Sequence, residues 1–90
     1  MAQALALSRE HVERSRAEPG CVAHAVHQDV DNALRLVFVE QWASQEALLQ
    51  HFKVPATRAF AKALAALAAQ PPNLQMYETT PIEMPSKNEH

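Results

Sequence analysis

The sequence has very little glycine and cysteine, with one residue of each type, Gly20 and Cys21. Loops that cradle phosphate groups, and the turn that binds a dinucleotide, need several closely spaced glycines. The chain is therefore not predicted to bind a nucleotide cofactor, and an enzyme of this sequence is expected to work without any bound cofactor. One cysteine cannot form a disulfide within the chain, so the expected location is the reducing cytoplasm.

The sequence also lacks a strong excess of one charge and a long apolar run. Its formal net charge is -2 at pH 7, and acidic and basic residues are interleaved. Without a basic stripe, the chain is not predicted to bind nucleic acid or an anionic membrane surface. No apolar run approaches the ~18 residues of a membrane span, and the first residues do not have the layout of a signal peptide. We therefore expect no membrane as a partner.

The length of 90 residues suits one domain. We expect this domain to occupy residues 1–84 and a flexible tail to follow at 85–90. Apolar and small residues at helical spacing predict a helix over 2–17, which ends at a Pro-Gly pair. His11 falls among the charged residues of this helix and is expected to be solvated.

Two shorter helices are predicted in the second half of the chain. Ser44 suits the N-cap of a helix over 45–52. A break is expected just before Pro55, because proline disfavours helical geometry in the residue that precedes it. An amphipathic helix then runs from Pro55 to a stop at the prolines at 71 and 72. The segment 73–83 is predicted to be extended and to form the last strand.

Between the helices, alternating residues predict strands over 21–30 and 34–42, joined by a turn rich in Asp and Asn. Both faces of the second strand are apolar: one carries Leu34, Leu36, Phe38 and Trp42, and the other carries Val37 and Val39. The helices can cover only one side of a hairpin sheet. The other side needs a ligand cavity or a second copy of the sheet, and a homodimer packed sheet to sheet supplies both.

Three stretches resemble the antibiotic biosynthesis monooxygenase family, which includes quinol monooxygenases. They are "SRAEPGC" at 15–21, "FVEQWASQEALLQHF" at 38–52 and "ATRAF" at 56–60, and the resemblance covers about residues 5–83. It implies an α+β fold of ferredoxin-like topology that dimerises into an α/β barrel. It also implies a cofactor-independent monooxygenase that uses dioxygen on a small aromatic hydroxyl compound of the quinol or anthrone type.

The start of the sequence departs from the family pattern. Family members usually begin with a β-strand before the first helix, whereas this sequence begins inside that helix. The resemblance therefore implies either a true start further upstream or a strand replaced by rearranged pairing within the dimer. Any polar residue that the family places on that strand is absent here, which affects the catalytic interpretation.

The resemblance places the family's recurrent histidine at His51, and imidazole, whose ordinary pKa is near ~6.5, suits a base for a phenolic proton. We expect His51 to border the same cavity as Trp42. Glu40 shares a strand face with Trp42 by the period of two, so a carboxylate and an indole can line one pocket wall. Phe38 is a further candidate substrate contact on that face. The alternatives are a histidine that caps local backbone or packs at the barrel rim, and a core tryptophan beside a solvated or helix-facing glutamate.

Two other side chains are candidate substrate contacts. His24 stands where relatives often carry a bulky aromatic, and Tyr77 on the last strand could donate a hydrogen bond to a quinone oxygen. The alternatives are a structural histidine with satisfied hydrogen bonds for His24 and ordinary packing for Tyr77. His24 and His27 are three apart on a strand and point to opposite faces, so they are not expected to share a metal ion. No other spacing of histidines or carboxylates predicts a zinc or iron site, and no metal is expected.

Three classes of function remain open. The first is the cofactor-independent oxygenase, the second is an isomerase on the same fold with His51 as proton shuttle, and the third is a non-catalytic dimeric binding or structural module. Oxygen uptake separates the first from the second. Stabilisation by a ligand without turnover identifies the third.

Overall fold

A computed structural model describes residues 1–84, so the predicted tail at 85–90 lies outside the described residues. Within that part, the chain forms three helices and one two-stranded antiparallel sheet. This is an α+β arrangement of ferredoxin-like type, and the described residues begin with a helix. The elements in chain order are α1 (Ala2–Arg16), β1 (Cys21–Gln28), β2 (Leu36–Trp42), α2 (Gln45–Lys53) and α3 (Pro55–Leu67).

The buried face of α1 is mostly polar. It carries Ser8, His11, Val12 and Ser15, at the spacing of one helix face. The hydroxyls of Ser8 and Ser15 donate to the carbonyl oxygens of Ala4 and His11, each at 2.7 Å, so both are satisfied within the helix. The expectation that His11 is solvated was wrong, because its side chain is only 4% exposed. Position 11 is three residues after Ser8 and four before Ser15, which places it on the buried face.

The turn between α1 and β1 depends on Gly20. Its φ angle is +82°, a conformation that residues with a Cβ rarely adopt. A Cβ at this position would lie 2.5 Å from the Cβ of Ala47 in α2. The missing side chain therefore lets α2, which carries His51, pack directly against the turn.

β1 and β2 pair so that His24 stands opposite Glu40. An acidic turn joins the strands. The Asp29 carboxylate accepts hydrogen bonds from the backbone N–H of Asp31 at 2.7 Å and from the Arg35 guanidinium at 2.9 Å. These bonds fix the hairpin register, which brings a carboxylate and an imidazole together on the inner face.

The two strands are shorter than the sequence predicts. Val30, the predicted last residue of the first strand, lies in the turn and is almost fully exposed. Leu34, the predicted first residue of the second strand, also lies there and is largely exposed. The hydrogen bonds around Asp29 turn the backbone before either residue can join the ladder. The predicted hairpin itself is confirmed.

The Ser44 side chain caps α2 by accepting a hydrogen bond of 3.1 Å from the backbone N–H of Ala47. Val54, with φ -65° and ψ 125°, ends α2 and precedes α3, which begins at Pro55 as predicted. α3 ends at Leu67, before the proline pair that was expected to stop it.

Residues 68–84 form neither helix nor strand. The expectation that Tyr77 lies on a last strand was therefore wrong: the segment has no ladder partner, and a strand is defined by such pairing. The Tyr77 side chain is largely exposed, and its hydroxyl donates to Oε1 of Gln75.

The inner layer of the domain is formed by the three helices and the inner face of the sheet. Among the described residues, Val12 is the buried apolar side chain, and the other buried side chains are polar: Ser8, His11, Ser15, His24, His51 and Thr57. The other face of the sheet is open, and its Val39 is more than half exposed. No helix in residues 1–84 is both long and apolar enough to span a bilayer.

Candidate functional site

Three histidines from three different elements meet in the buried layer. His11 comes from α1, His24 from β1 and His51 from α2, and each side chain is at most 4% exposed. Their ring centroids are 5.2 to 5.7 Å apart. One nitrogen from each ring lies within 4.8 Å of the corresponding nitrogens of the other two. Such a cluster is unusual in a protein interior, because every imidazole brings a donor and an acceptor that must be satisfied.

Glu40 connects this cluster to the indole of Trp42. Its Oε1 accepts a hydrogen bond of 3.0 Å from Trp42 Nε1, and it lies 3.1 Å from His24 Nε2 and 3.9 Å from His51 Nε2. Burial would raise the pKa of the Glu40 carboxyl. The contacts with His24 and Trp42 and the charge of the two histidines outweigh burial, and the pKa lies below its usual value. Glu40 is therefore a carboxylate at neutral pH.

His51 is held by carboxylates on both sides. Its Nδ1 lies 2.8 Å from Oε1 of Glu18, in the turn after α1. A carboxylate only accepts hydrogen bonds, so Nδ1 carries the proton in the neutral ring and Nε2, on the side of Glu40, has the free lone pair. The His51 ring also lies 4.6 Å from the Trp42 ring, between centroids. This tautomer suits a base that faces Glu40.

His24 is the least satisfied member of the cluster. Its side chain is fully buried, and neither ring nitrogen has a well-aligned hydrogen bond. The 3.1 Å separation from Glu40 is short enough for a hydrogen bond, but its alignment is poor, so the contact is electrostatic. Buried polar groups without a hydrogen-bond partner are rare in native structures, so His24 is a candidate for a contact with a ligand.

His11 is stacked face to face on Phe60, with centroids 4.0 Å apart and planes within 4° of parallel. Burial, together with the charges of His24, His51 and Arg14, lowers the pKa of His11 to about 4. His11 is therefore neutral at physiological pH.

An open cleft of about 610 Å³ lies next to the cluster. It is bounded by the end of β2, by α2 and by the segment 74–79. Four predicted site residues line it: Phe38, Glu40, Trp42 and Tyr77. The walls also include Val22, Gln41, Ala43, Ser44, Gln45, Leu48 and Phe52.

The other two predicted site residues, His24 and His51, are not among the residues that line the cleft. They lie behind Glu40 and Trp42. The expectation that His51 borders the same cavity as Trp42 is thus corrected to a contact between the two rings. Glu40 and Trp42 both line the cleft and contact the buried histidines, and Glu40 is the one of the two that carries a charge.

Sequence reasoning missed His11 and Glu18 and the meeting of three histidines. We expected no metal site because no histidines or carboxylates have the spacing of a ligand set along the chain. This cluster instead comes from three elements that are distant in sequence. His27, by contrast, is exposed and faces away from His24, as predicted. The one available signal was the position of His11 on the face of Ser8 and Ser15.

A family model described as "Antibiotic biosynthesis monooxygenase" matches residues 1–63. The chain belongs to the antibiotic biosynthesis monooxygenase family. A solved structure described as an antibiotic biosynthesis monooxygenase superposes with a TM-score of 0.82 at 28% identity, covering 89% of this chain and 84% of the other. The family resemblance of the sequence is thereby confirmed.

Two further solved structures share the fold at 23% identity. Rv0793 from Mycobacterium tuberculosis has a TM-score of 0.72 and covers 86% of this chain and 84% of its own. A conserved protein from Methanosarcina mazei has a TM-score of 0.69, and the match covers 72% of this chain and 64% of that protein. An uncharacterized protein of Synechocystis, sll1783, is 32% identical over 74 residues, or 82% of this chain. The chain spans half the length of that relative.

Proposed function

We propose that this member of the antibiotic biosynthesis monooxygenase family is a cofactor-independent monooxygenase for a small aromatic hydroxyl compound of the quinol or anthrone type. The observation that carries the proposal is the position of Glu40. Its carboxylate lines the cleft and lies 3.1 and 3.9 Å from the Nε2 atoms of His24 and His51. A proton released by a molecule in the cleft thus has a short route into the buried layer.

The cleft suits an aromatic ligand. Phe38, Trp42 and Phe52 supply aromatic wall area, and Tyr77 supplies a hydroxyl at the rim. Its volume of about 610 Å³ lies within the range typical of small-molecule sites, roughly 300 to 1,000 Å³. A flat polycyclic phenol would stack on these rings and direct its hydroxyl towards Glu40.

His51 is the proposed acceptor of the phenolic proton. A carboxylate with a lowered pKa is a weak acceptor by itself, so Glu40 orients the hydroxyl and passes the proton to His51 Nε2. The resulting imidazolium would lie between two carboxylates, Glu18 at 2.8 Å and Glu40 at 3.9 Å, whose negative charges offset its positive charge. This division of roles also explains how a base that does not line the cleft can serve a substrate in it.

The substrate anion then reacts with dioxygen. For an anthrone, one oxygen atom forms the new carbonyl group and the other leaves as water. The substrate CH₂ group loses four electrons and two protons, which balances the reduction of dioxygen. No separate reductant is needed, so the protein has to deprotonate, orient and shield the substrate.

We include a homodimer and a cytoplasmic location in the proposal. The open face of the sheet carries Val37 and the largely exposed Val39, and a second sheet would cover both. The unpaired Cys21 fits a reducing compartment.

The test is oxygen consumption with a panel of reduced naphthoquinols and anthrones, measured against the spontaneous rate with protein treated with a chelator. We expect uptake above autoxidation, with one atom of isotopically labelled dioxygen in the product. Product formation without oxygen uptake would favour the isomerase. Thermal stabilisation by a panel member without any turnover would favour the binding module.

A further inference from the structure

The three buried histidines have the composition and grouping of a metal site. One nitrogen from each of His11, His24 and His51 lies within 4.8 Å of the other two, and Oε1 of Glu40 is 3.1 Å from His24. We propose that these three imidazoles bind one divalent first-row transition-metal ion, with the Glu40 carboxylate as the fourth ligand. This site goes beyond the proposed oxygenase activity and does not depend on it.

His24 gives the first independent support. It is fully buried, and neither of its ring nitrogens makes an aligned hydrogen bond. A buried polar group without a hydrogen-bond partner destabilises the folded chain. A metal ion would satisfy one nitrogen directly by coordination to its lone pair.

The contact between His51 and Glu18 is the second observation that supports a metal site. Histidine ligands usually donate their other ring N–H to a carboxylate or a carbonyl, which fixes the tautomer and the ring orientation. The 2.8 Å contact from His51 Nδ1 to Glu18 Oε1 has this form, and it leaves Nε2 free on the inner side. Glu18 would thus orient His51 as a ligand.

The geometry requires a small contraction. Zinc–nitrogen bonds of about 2.0 to 2.1 Å in a tetrahedron place the ligand atoms roughly 3.3 Å apart. Nitrogens separated by at most 4.8 Å reach that distance if each ring moves by about 1 Å. His11 and His51 sit on helices and His24 on a strand, so side-chain rotations supply this movement.

The charges near the cluster are compatible with a dication. Glu18 and Glu40 bring two negative charges within 4 Å of histidine nitrogens. The positive charge of Arg14 disfavours a cation here, since its Nη2 lies 3.4 Å from His11 Nδ1. The same guanidinium also contacts the Glu10 carboxylate and the Ala56 carbonyl. Three imidazoles and one carboxylate suit Zn²⁺ and the neighbouring metals of its row rather than Mg²⁺ or Ca²⁺.

Metal binding and the proposed reaction use the same side chains. An ion bound to His51 and Glu40 would occupy the groups that accept the phenolic proton. The oxygenase reaction therefore belongs to the metal-free protein, and metal binding is measured without reference to turnover.

The experiment is a titration of untagged, chelator-treated protein with Zn²⁺ in competition with a chromogenic chelator, followed by Co²⁺ absorption spectra. The ligand deletions are His24→Phe and His11→Phe, which keep an aromatic ring in the buried layer. Glu18→Gln tests the orienting carboxylate. His27→Ala is the matched control, because His27 is an exposed histidine on the same strand as His24.

We expect wild type and His27→Ala to bind one Zn²⁺ per chain with equal affinity, and Co²⁺ to give the intense visible bands of a tetrahedral site. Each ligand deletion should weaken binding by roughly 100-fold or more, and Glu18→Gln by roughly 10-fold. The proposal is overturned if wild type binds no stoichiometric Zn²⁺, or if a folded His24→Phe variant binds as wild type does. The wild-type titration and Co²⁺ spectrum decide the matter even if a variant fails to fold.

Discussion

The indole Nε1 of Trp42 donates a hydrogen bond of 3.0 Å to Oε1 of Glu40, on the same face of β2. This bond connects the wall of the cleft to the buried histidines, since the same oxygen approaches His24 and His51. It also stabilises the ionised form of a half-buried carboxyl group. The pair is the point at which a ligand in the cleft would meet the polar interior.

Replacement of Trp42 tests this relationship. Trp42→Phe keeps an aromatic ring but removes the donor, so the pKa of Glu40 should rise towards its ordinary value, because the Trp42 hydrogen bond lowers it. The free energy of unfolding should fall by about 1 to 3 kcal/mol. The measurement is a pH titration of the Glu40 side-chain carbonyl by carbon NMR. An unchanged pKa in the variant would show that the hydrogen bond does not support the carboxylate.

The acid stability of the metal-free protein should report the burial of His11. Its pKa of about 4 in the folded protein is lower than the 6.5 of an unperturbed histidine, so the unfolded chain binds more protons between these values. The stability that the neutral ring contributes is complete above pH 6.5 and is lost as the pH falls towards 4. The loss should reach about 2 to 3 kcal/mol, at 1.36 kcal/mol per pH unit.

His11→Phe is the variant for this prediction, because phenylalanine preserves the stacking on Phe60 and does not titrate. Urea unfolding at a series of pH values between 4 and 7 should show a shallower pH dependence in the variant than in wild type. Parallel curves for the two proteins would mean that His11 is not the group responsible.

The open sheet face should mediate dimerisation. Val39→Lys places a charge at its centre, so sedimentation should show a shift from dimer to monomer at micromolar concentration. Val30→Lys is the matched control, because Val30 is fully exposed in the turn and should leave the dimer intact. A wild-type protein that is a stable folded monomer over the whole concentration range would contradict the proposed dimer.

The sequence predicted the helices, the hairpin and the sharing of a face by Glu40 and Trp42, because these depend on local periodicity. Helix ends at Ser44 and Pro55 were predictable for the same reason: capping and proline chemistry act within a few residues. The early end of β1 and the late start of β2 were not predictable, since the turn depends on hydrogen bonds that the Asp29 side chain accepts.

The candidate site was only partly predictable. The three histidines come together through the packing of α1, β1 and α2. Their spacing along the chain does not predict that they are close in space. His11 was assigned to solvent because charged residues surround it in sequence, although its neighbours at helical spacing are buried. Tyr77 faces the cleft from an unpaired segment, whose path depends on tertiary contacts rather than on strand propensity.

The measurement that tests the account most directly is the kcat/KM for oxygen uptake of Glu40→Gln against wild type, with metal-free protein and an active member of the quinol and anthrone panel. Glutamine preserves the size and the hydrogen bond to Trp42 but cannot pass a proton. Glu46→Gln, at an exposed position in the first turn of α2, is the control. We expect Glu40→Gln to lose roughly 100-fold or more, the usual contribution of a positioned proton-transfer group, and the control to match wild type. If the activity of Glu40→Gln stays within about twofold of wild type, the loss is far smaller than a positioned proton-transfer group would cause. That result would contradict the claim that this carboxylate connects the cleft to His51.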